Sequence, residues 1–458
     1  MSTSAATDRA YKHRVTLLGA RDRHFAVAIA MAAGLVVAVS ACRDRREGAA
    51  VSHAPPSVQR ALESAADTRD EDIQFYAARA ERDPTGAMDL AQLGSLYLQR
   101  ARESGDPRDA VRAELVARRS LHNRSARNVR AAQVLSSALL SQHRFAEALD
   151  VAQKIRDTDP ANVQFRAGVA EIQMELGQYA DARAAFDSLR WNARDPSVAP
   201  RLSRWDEIEG RGEGARQLMR VARIDALKAP RISPEQVGWF WLRSGDIEFR
   251  SGHPDAAHDA YERGLAAHPD DYRLLGAMAH LAAARQQWKD AIGYGERAIA
   301  SNLDPATLGT LSDAYAALGD TVRAAEYARV LDVAVTRQPG AYHRAWSLFL
   351  LDHDRHVDLV YRKILTELET RRDVYGYDLL AWSLHKQHRD AEARPAMQQA
   401  LREGTRDAQL FYHAGVIEHA LGHDAEARHY LDEALAINPY FHPTQPAIAR
   451  ALLDSLAR

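Results

Sequence analysis

From residue 57 onward, apolar side chains recur at i, i+3 and i+4, Ala and Leu dominate, and the alternation that marks a half-buried strand is nearly absent. The pattern predicts an all-α chain of short amphipathic helices. A longer period runs through it. A small residue opens every second helix, at Ala148, Ala182, Ala215, Ala257, Ala291, Ala324, Val357, Ala393 and Ala427, with steps of 34, 33, 42, 34, 33, 33, 36 and 34 residues. Gly177, Gly252, Gly319 and Gly422 fall where the two helices of a pair must turn, because a left-handed helix stop favours glycine. Pro160, Pro269 and Pro439 close units, since proline cannot continue the helix behind it.

Small side chains where antiparallel helices cross let their backbones approach. A Leu at Ala257 or Ala427 would overpack that crossing by about 1–3 kcal/mol. The order Trp241, Gly245, Gly252, Ala257, Tyr261, Pro269 returns as Phe411, Gly415, Gly422, Ala427, Leu431, Pro439. This period and motif resemble the tetratricopeptide repeat. The resemblance implies an α-solenoid, a superhelix of about ten helical hairpins with polar-faced capping helices at its ends. Arg166, Asp206 and Arg344 stand at positions that are usually apolar in the pattern. The 42-residue step around Lys228 to Pro234 suggests a division into two sub-arrays. The expected organisation is starting helices and a first sub-array over 57–228, a second over 229–439, and a closing helix over 440–458. Reading 458 residues as two to four domains fails for such an array, which lengthens by adding hairpins.

The N-terminal region reads differently. Residues 1–24 are polar and carry Arg9, Lys12, Arg14, Arg21 and Arg23; Phe25 to Val39 has no charge. That apolar run is shorter than the roughly 20 residues a membrane span needs. It ends in Val39-Ser40-Ala41-Cys42, which holds the only cysteine of the chain. One cysteine excludes an internal disulfide, a Cys-based zinc site and a two-thiol redox centre. Its setting resembles the lipobox of bacterial lipoproteins. That resemblance implies a signal peptide over 1–41, acylation of Cys42, and attachment to a membrane of the bacterial cell envelope. Residues 42–56 would then be a flexible tether, with a reach of roughly 45–50 Å. Loss of residues 1–41 would shift the formal net charge from −2 to −5.

Charge and motif content narrow the function further. Sixty basic against 62 acidic residues give no electrostatic case for nucleic acid. Gly210-Arg-Gly212-Glu-Gly214 has no strand before it, so it does not read as a dinucleotide site. The sequence contains no phosphate loop, no Gly-x-Ser-x-Gly and no His-Glu-x-x-His. His419 and His423 are four apart, but Gly422 between them ends the helix. No enzymatic activity, cofactor or metal is expected.

The resemblance places the first helix of each pair on the concave face of the superhelix. Early units offer small and charged residues there, such as Gln133, Ser137, Glu171 and Arg204. Later units offer Trp239, Phe249, Tyr342, Trp346, Tyr375, Trp382, His385, Tyr412 and His419. Ala-Trp-Ser-Leu occurs at 345–348 and again at 381–384, which puts Trp346 and Trp382 at one point on neighbouring helices. Such rings anchor peptides and partner helices, or they pack between adjacent repeats. The expected function is a membrane-tethered scaffold that binds a protein or peptide in the cell envelope. The alternative is a periplasmic small-ligand or metal-responsive binding protein that uses the same C-terminal aromatic and histidine face.

Overall fold

The structure is a computed structural model that describes residues 56–230, 232–337 and 344–457. Twenty-two α-helices run through these residues, and no strand is found among them. The long helix α1 (Pro56–Arg82) precedes ten antiparallel pairs. The first four are α2 (Ala87–Ser104) with α3 (Pro107–Asn123), α4 (Val129–Ser141) with α5 (Phe145–Thr158), α6 (Val163–Glu175) with α7 (Tyr179–Leu189), and α8 (Ala199–Ile208) with α9 (Gly212–Ala226). Then follow α10 (Pro234–Arg250) with α11 (Pro254–Ala267), α12 (Tyr272–Ala284) with α13 (Trp288–Ser301), and α14 (Pro305–Ala317) with α15 (Thr321–Arg337). The last three are α16 (Arg344–Asp352) with α17 (Val357–Leu368), α18 (Val374–Lys386) with α19 (Asp390–Leu401), and α20 (Ala408–Ala420) with α21 (Asp424–Ile437). Helix α22 (Gln445–Leu456) closes the array. The expected α-solenoid of ten hairpins is therefore the fold.

Local chemistry explains the pairs. Asn162, Asp271, Asp304, Asp373 and Asp407 cap the first helices of their hairpins by accepting from backbone N–H groups of the first turn. Ser233 does the same for α10 in a capping box with Gln236. Ala148, Ala182, Ala215, Ala257, Ala291, Ala393 and Ala427 are fully buried at the start of the second helix. Twelve residues earlier, each crossing carries a small partner. In three hairpins it is a serine, and Ser136, Ser203 and Ser312 donate to the Ala148, Ala215 and Ala324 carbonyls. In two it is a glycine, and a Cβ at Gly245 or Gly415 would overlap Tyr261 or Leu431.

The superhelix closes on itself. The turn within a hairpin meets the loop that precedes the hairpin six places later. Between α6 and α7, the Leu176 carbonyl accepts from the Arg372 amide at 3.0 Å, and Tyr179 Oη accepts from the Val374 amide at 2.8 Å. Arg371 adds bonds to the Glu175 carbonyl and carboxylate at 3.0 and 3.1 Å. Between α8 and α9, the Ile208 carbonyl accepts from Thr405 Oγ1 at 2.5 Å. Between α10 and α11, the Phe249 carbonyl accepts from Asn438 Nδ2 at 2.8 Å. The first hairpin obeys the same register, since Asn302 Nδ2 donates to the Ser104 carbonyl at 2.9 Å. Val374 joins apolar surface to this polar seam. It is wholly buried in a core formed by Phe186, Leu202 and Trp205 of the third and fourth hairpins.

Turn glycines are required here twice over. Gly177 has φ +73°, and a Cβ on it would overlap the Arg372 carbonyl. Gly319 has φ +81° at the equivalent turn of the seventh hairpin, but a Cβ there meets nothing within 4 Å. Both substitutions to Ala carry the left-handed backbone cost of about 1–2 kcal/mol. Gly177→Ala must also displace the neighbouring turn, at about 1–3 kcal/mol more. Urea unfolding of the two variants should show that difference; equal destabilisation would mean that the turns do not touch.

Candidate functional site

The first helices of the hairpins line the interior of the superhelix, where charged residues of neighbouring hairpins pair and Arg204 meets the Tyr375 ring of the next turn. Tyr375 from α18 lies between two guanidinium groups, Arg344 of α16 at 4.6 Å and Arg204 of α8 at 5.8 Å from its ring centre. Arg250 donates to Glu207 Oε1 at 2.6 and 2.8 Å, and Arg204 stands 3.6 Å from Glu175. Burial alone would lower the Arg204 and Arg250 pKa values, but Glu175 and Glu207 respectively hold them raised. Burial would raise Glu207, yet Arg250, Arg243 and Arg204 keep it below the ordinary carboxylate value. Burial, followed by the Asp407 carboxylate, pushes Tyr375 up to about 12. The interior thus carries fixed charges of both signs around a neutral phenol.

A cavity of about 390 Å³ opens onto this region. Glu207, Arg250, Tyr375 and Asp407 line it together with Gly210, Thr405 and Ile437, which lie where successive turns meet.

Deeper toward the C-terminus lies a second polar cluster. Asp378 and His413 are fully buried, and Asp378 Oδ1 accepts from His413 Nδ1 at 2.7 Å. Arg344 donates to the other Asp378 oxygen at 3.2 Å. Burial opposes the Asp378 charge, but His413 and Arg344 hold its pKa lowered. The His413 ring lies on Trp382 at 4.1 Å between centres with 14° between planes, and its Nε2 has no hydrogen-bond partner among the described residues. Trp382 Nε1 donates to Asp352 Oδ1 at 2.9 Å.

The structure distributes the sequence-derived candidates unevenly. Cys42 and Tyr342 lie outside the described residues. Trp382, His385 and Tyr412 come together, with His385 stacked on Trp382 at 4.9 Å and Tyr412 tilted at 6.1 Å. Trp346, Trp382 and Tyr412 are each 3–4% exposed and belong to one apolar core with Leu350, Leu379 and Leu431. Phe249 is buried at 9% and sits edge-on to His280. These four rings pack between repeats and present no open surface: Trp346, Trp382 and Tyr412 lie among residues of the last four hairpins and of the closing segment, and Phe249 is packed by the neighbouring hairpin. Trp239, Tyr375, His385 and His419 remain half-buried. Trp239 packs edge-on to Phe240, and His419 Nδ1 is 3.7 Å from Asp424.

Sequence reasoning did not select Asp352, Asp378 or His413 as a site. A signal for one part existed. Arg344 stood out as a charge at an apolar position, and its partner is Asp378. Asp206 stood out likewise, and it is buried between Arg190 at 3.0 Å and Arg211 at 2.5 Å. Among the described residues, the group whose geometry could hold a metal ion is His258, Asp259 and Glu262 on the exposed side of α11. It lies apart from the aromatic and histidine face.

Models of the tetratricopeptide repeat match residues 139–200, 238–281 and 379–440. The hairpins in these three stretches are tetratricopeptide repeats. The three matched stretches fall in the early, middle and late parts of the tetratricopeptide array. No curated protein matches the chain. Among solved structures, the type IV pilus biogenesis factor PilW is similar at 18% identity and TM-score 0.38, over 46% of this chain and 96% of its own. The APC/C hetero-tetramer Cut9-Hcn1 is similar at 12% identity and TM-score 0.33, over 88% of this chain and 95% of its own.

Removing the Asp378 carboxylate strands Arg344 and His413 in the interior. Asp378→Ala should cost about 3–5 kcal/mol in urea unfolding. Asp150→Ala, which breaks only the exposed Lys154 pair, should stay within about 0.5 kcal/mol.

Proposed function

We propose that this tetratricopeptide array is a non-enzymatic, membrane-tethered scaffold that holds a protein or peptide partner in the bacterial cell envelope. Tetratricopeptide repeats support a role in protein–protein interaction. The observation that carries the site is Tyr375, flanked by Arg204 and Arg344 and reached through the cavity between successive turns. A partner segment entering there meets a neutral aromatic face and guanidinium and carboxylate groups already held in place, so little side-chain freedom is lost on binding.

Cys42 in Val39-Ser40-Ala41-Cys42 supports the tether. Two or three acyl chains anchor a protein stably at about 0.8 kcal/mol per buried CH₂, where one chain does not. No helix among the described residues is long and apolar enough to cross a membrane. Attachment raises the effective concentration of a weakly bound partner, often to about millimolar.

Two measurements test the two halves separately. Cys42→Ser should leave the protein uncleaved or soluble; a variant that is cleaved and fractionates with the membrane as the wild type does would rule out the lipid anchor. A photo-crosslinking side chain at position 375, in the native membrane, should capture a defined partner that one at exposed position 154 does not. Equal capture at both positions would rule out the interior site.

A further inference from the structure

We propose that residues 438–445 form a strap that covers the aromatic core around Trp382 and Tyr412, and that acidification releases it through His442. The proposal does not rest on partner capture or on the lipid anchor. The strap joins α21 to α22 and is held at several points. Asn438 donates to the Phe249 carbonyl at 2.8 Å, and Gln286 Nε2 to the Pro443 carbonyl at 3.5 Å. Gln445 Nε2 donates to Asp352 Oδ1 at 3.2 Å, the oxygen that also accepts from Trp382. The buried Phe441 ring lies 5.7 Å from the Tyr412 ring. The strap thus covers two aromatics that the sequence placed among the partner anchors, and it also fastens the last seam contacts.

His442 is the weak point under acid. Its Nδ1 accepts from the Thr444 and Gln445 amides at 3.2 and 3.3 Å, so it caps α22 and cannot take a proton there without losing both bonds. Its Nε2 faces Asp352 Oδ2 at 3.6 Å. His280 of α12, His353 beyond α16 and His413 of α20 surround it. Their carboxylates are engaged elsewhere. His353 faces Asp313 at 2.8 Å and His413 faces Asp378 at 2.7 Å, while Asp246 and Asp313 stand near His280. Lys386 and His353 also face Asp352, whose own pKa is raised by burial. Burial, then the three neighbouring histidines, pushes His442 down to about 3.

The sign follows from linkage. A released His442 regains its ordinary value near 6.5 and takes up a proton below it, whereas the closed strap admits none until about pH 3. Closure is therefore fully stable above pH 6.5 and weakens as the pH falls. Between pH 7.5 and 5.5 the open population should rise about tenfold. Asp352 works in the opposite direction, because burial holds its closed-state carboxyl above the ordinary value and favours closure as the pH falls, so tenfold is the largest response that His442 alone allows.

Amide hydrogen exchange on the full chain tests the proposal, with rates corrected for the intrinsic effect of pH. Amides of 439–450 should lose about tenfold protection between pH 7.5 and 5.5, while those of α4 to α7 keep theirs. In His442→Asn, whose amide oxygen can replace Nδ1 as the cap but does not titrate, the loss should fall below about twofold. Equal corrected protection of the wild-type strap at both pH values would overturn the proposal, whatever the variant does. So would a response in His442→Asn equal to that of the wild type, or an acid response spread evenly over the helices.

Discussion

Where the Arg372 amide meets the Leu176 carbonyl and Val374 enters the core around Trp205, residues nearly 200 positions apart in sequence become neighbours. An array of hairpins needs only contacts between adjacent units to be stable. This one adds a second set, repeated every six hairpins. The added contacts fix superhelical pitch, because Gly177, Gly210 and Gly252 touch backbone of the next turn where a Cβ would intrude. Pitch in turn fixes what the concave face can be. At six hairpins per turn the first helices of one turn stand close to those of the next, so charged and aromatic side chains meet in the interior.

That geometry explains the chemistry inside. A charge taken from water is tolerated when an opposite charge and hydrogen bonds replace the solvent. Arg250 with Glu207, Arg344 with Asp378, and Asp206 with Arg190 and Arg211 meet that requirement. Arg204 and Arg344 both stand against the Tyr375 ring, which brings the fourth and the eighth hairpin together in the interior. The four rings that looked like open anchors in sequence, Phe249, Trp346, Trp382 and Tyr412, have the apolar area to fill the space between repeats, and they do.

Hairpins were legible because their cause is local. The period near 34 residues, the small residue at each crossing and the glycine at several hairpin turns are properties of neighbouring residues, and all appear in the fold. Charges at usually apolar positions were legible as departures, and Asp206 and Arg344 proved to be members of ion pairs. The seam was not legible. Its contacts join residues such as Ser104 and Asn302 that share no motif and no spacing within a repeat. Turn glycines carried two requirements, the left-handed stop and the approach of another turn, and only the first leaves a sequence signature. His413 was visible as one of several histidines in its repeat. What distinguishes it, a buried carboxylate on the preceding hairpin, depends on the packing of α18 against α20.

Everything in this architecture depends on successive turns of the superhelix touching. Two amides report on it directly. Arg372 lies in a loop, and Val374 is the first residue of α18, so neither amide has a partner within its own hairpin. Residue-resolved hydrogen exchange should find both protected to the extent of amides inside α17 and α18, with Tyr179→Phe exposing Val374 alone. Exchange of both at the rate of an open loop would contradict the closed superhelix.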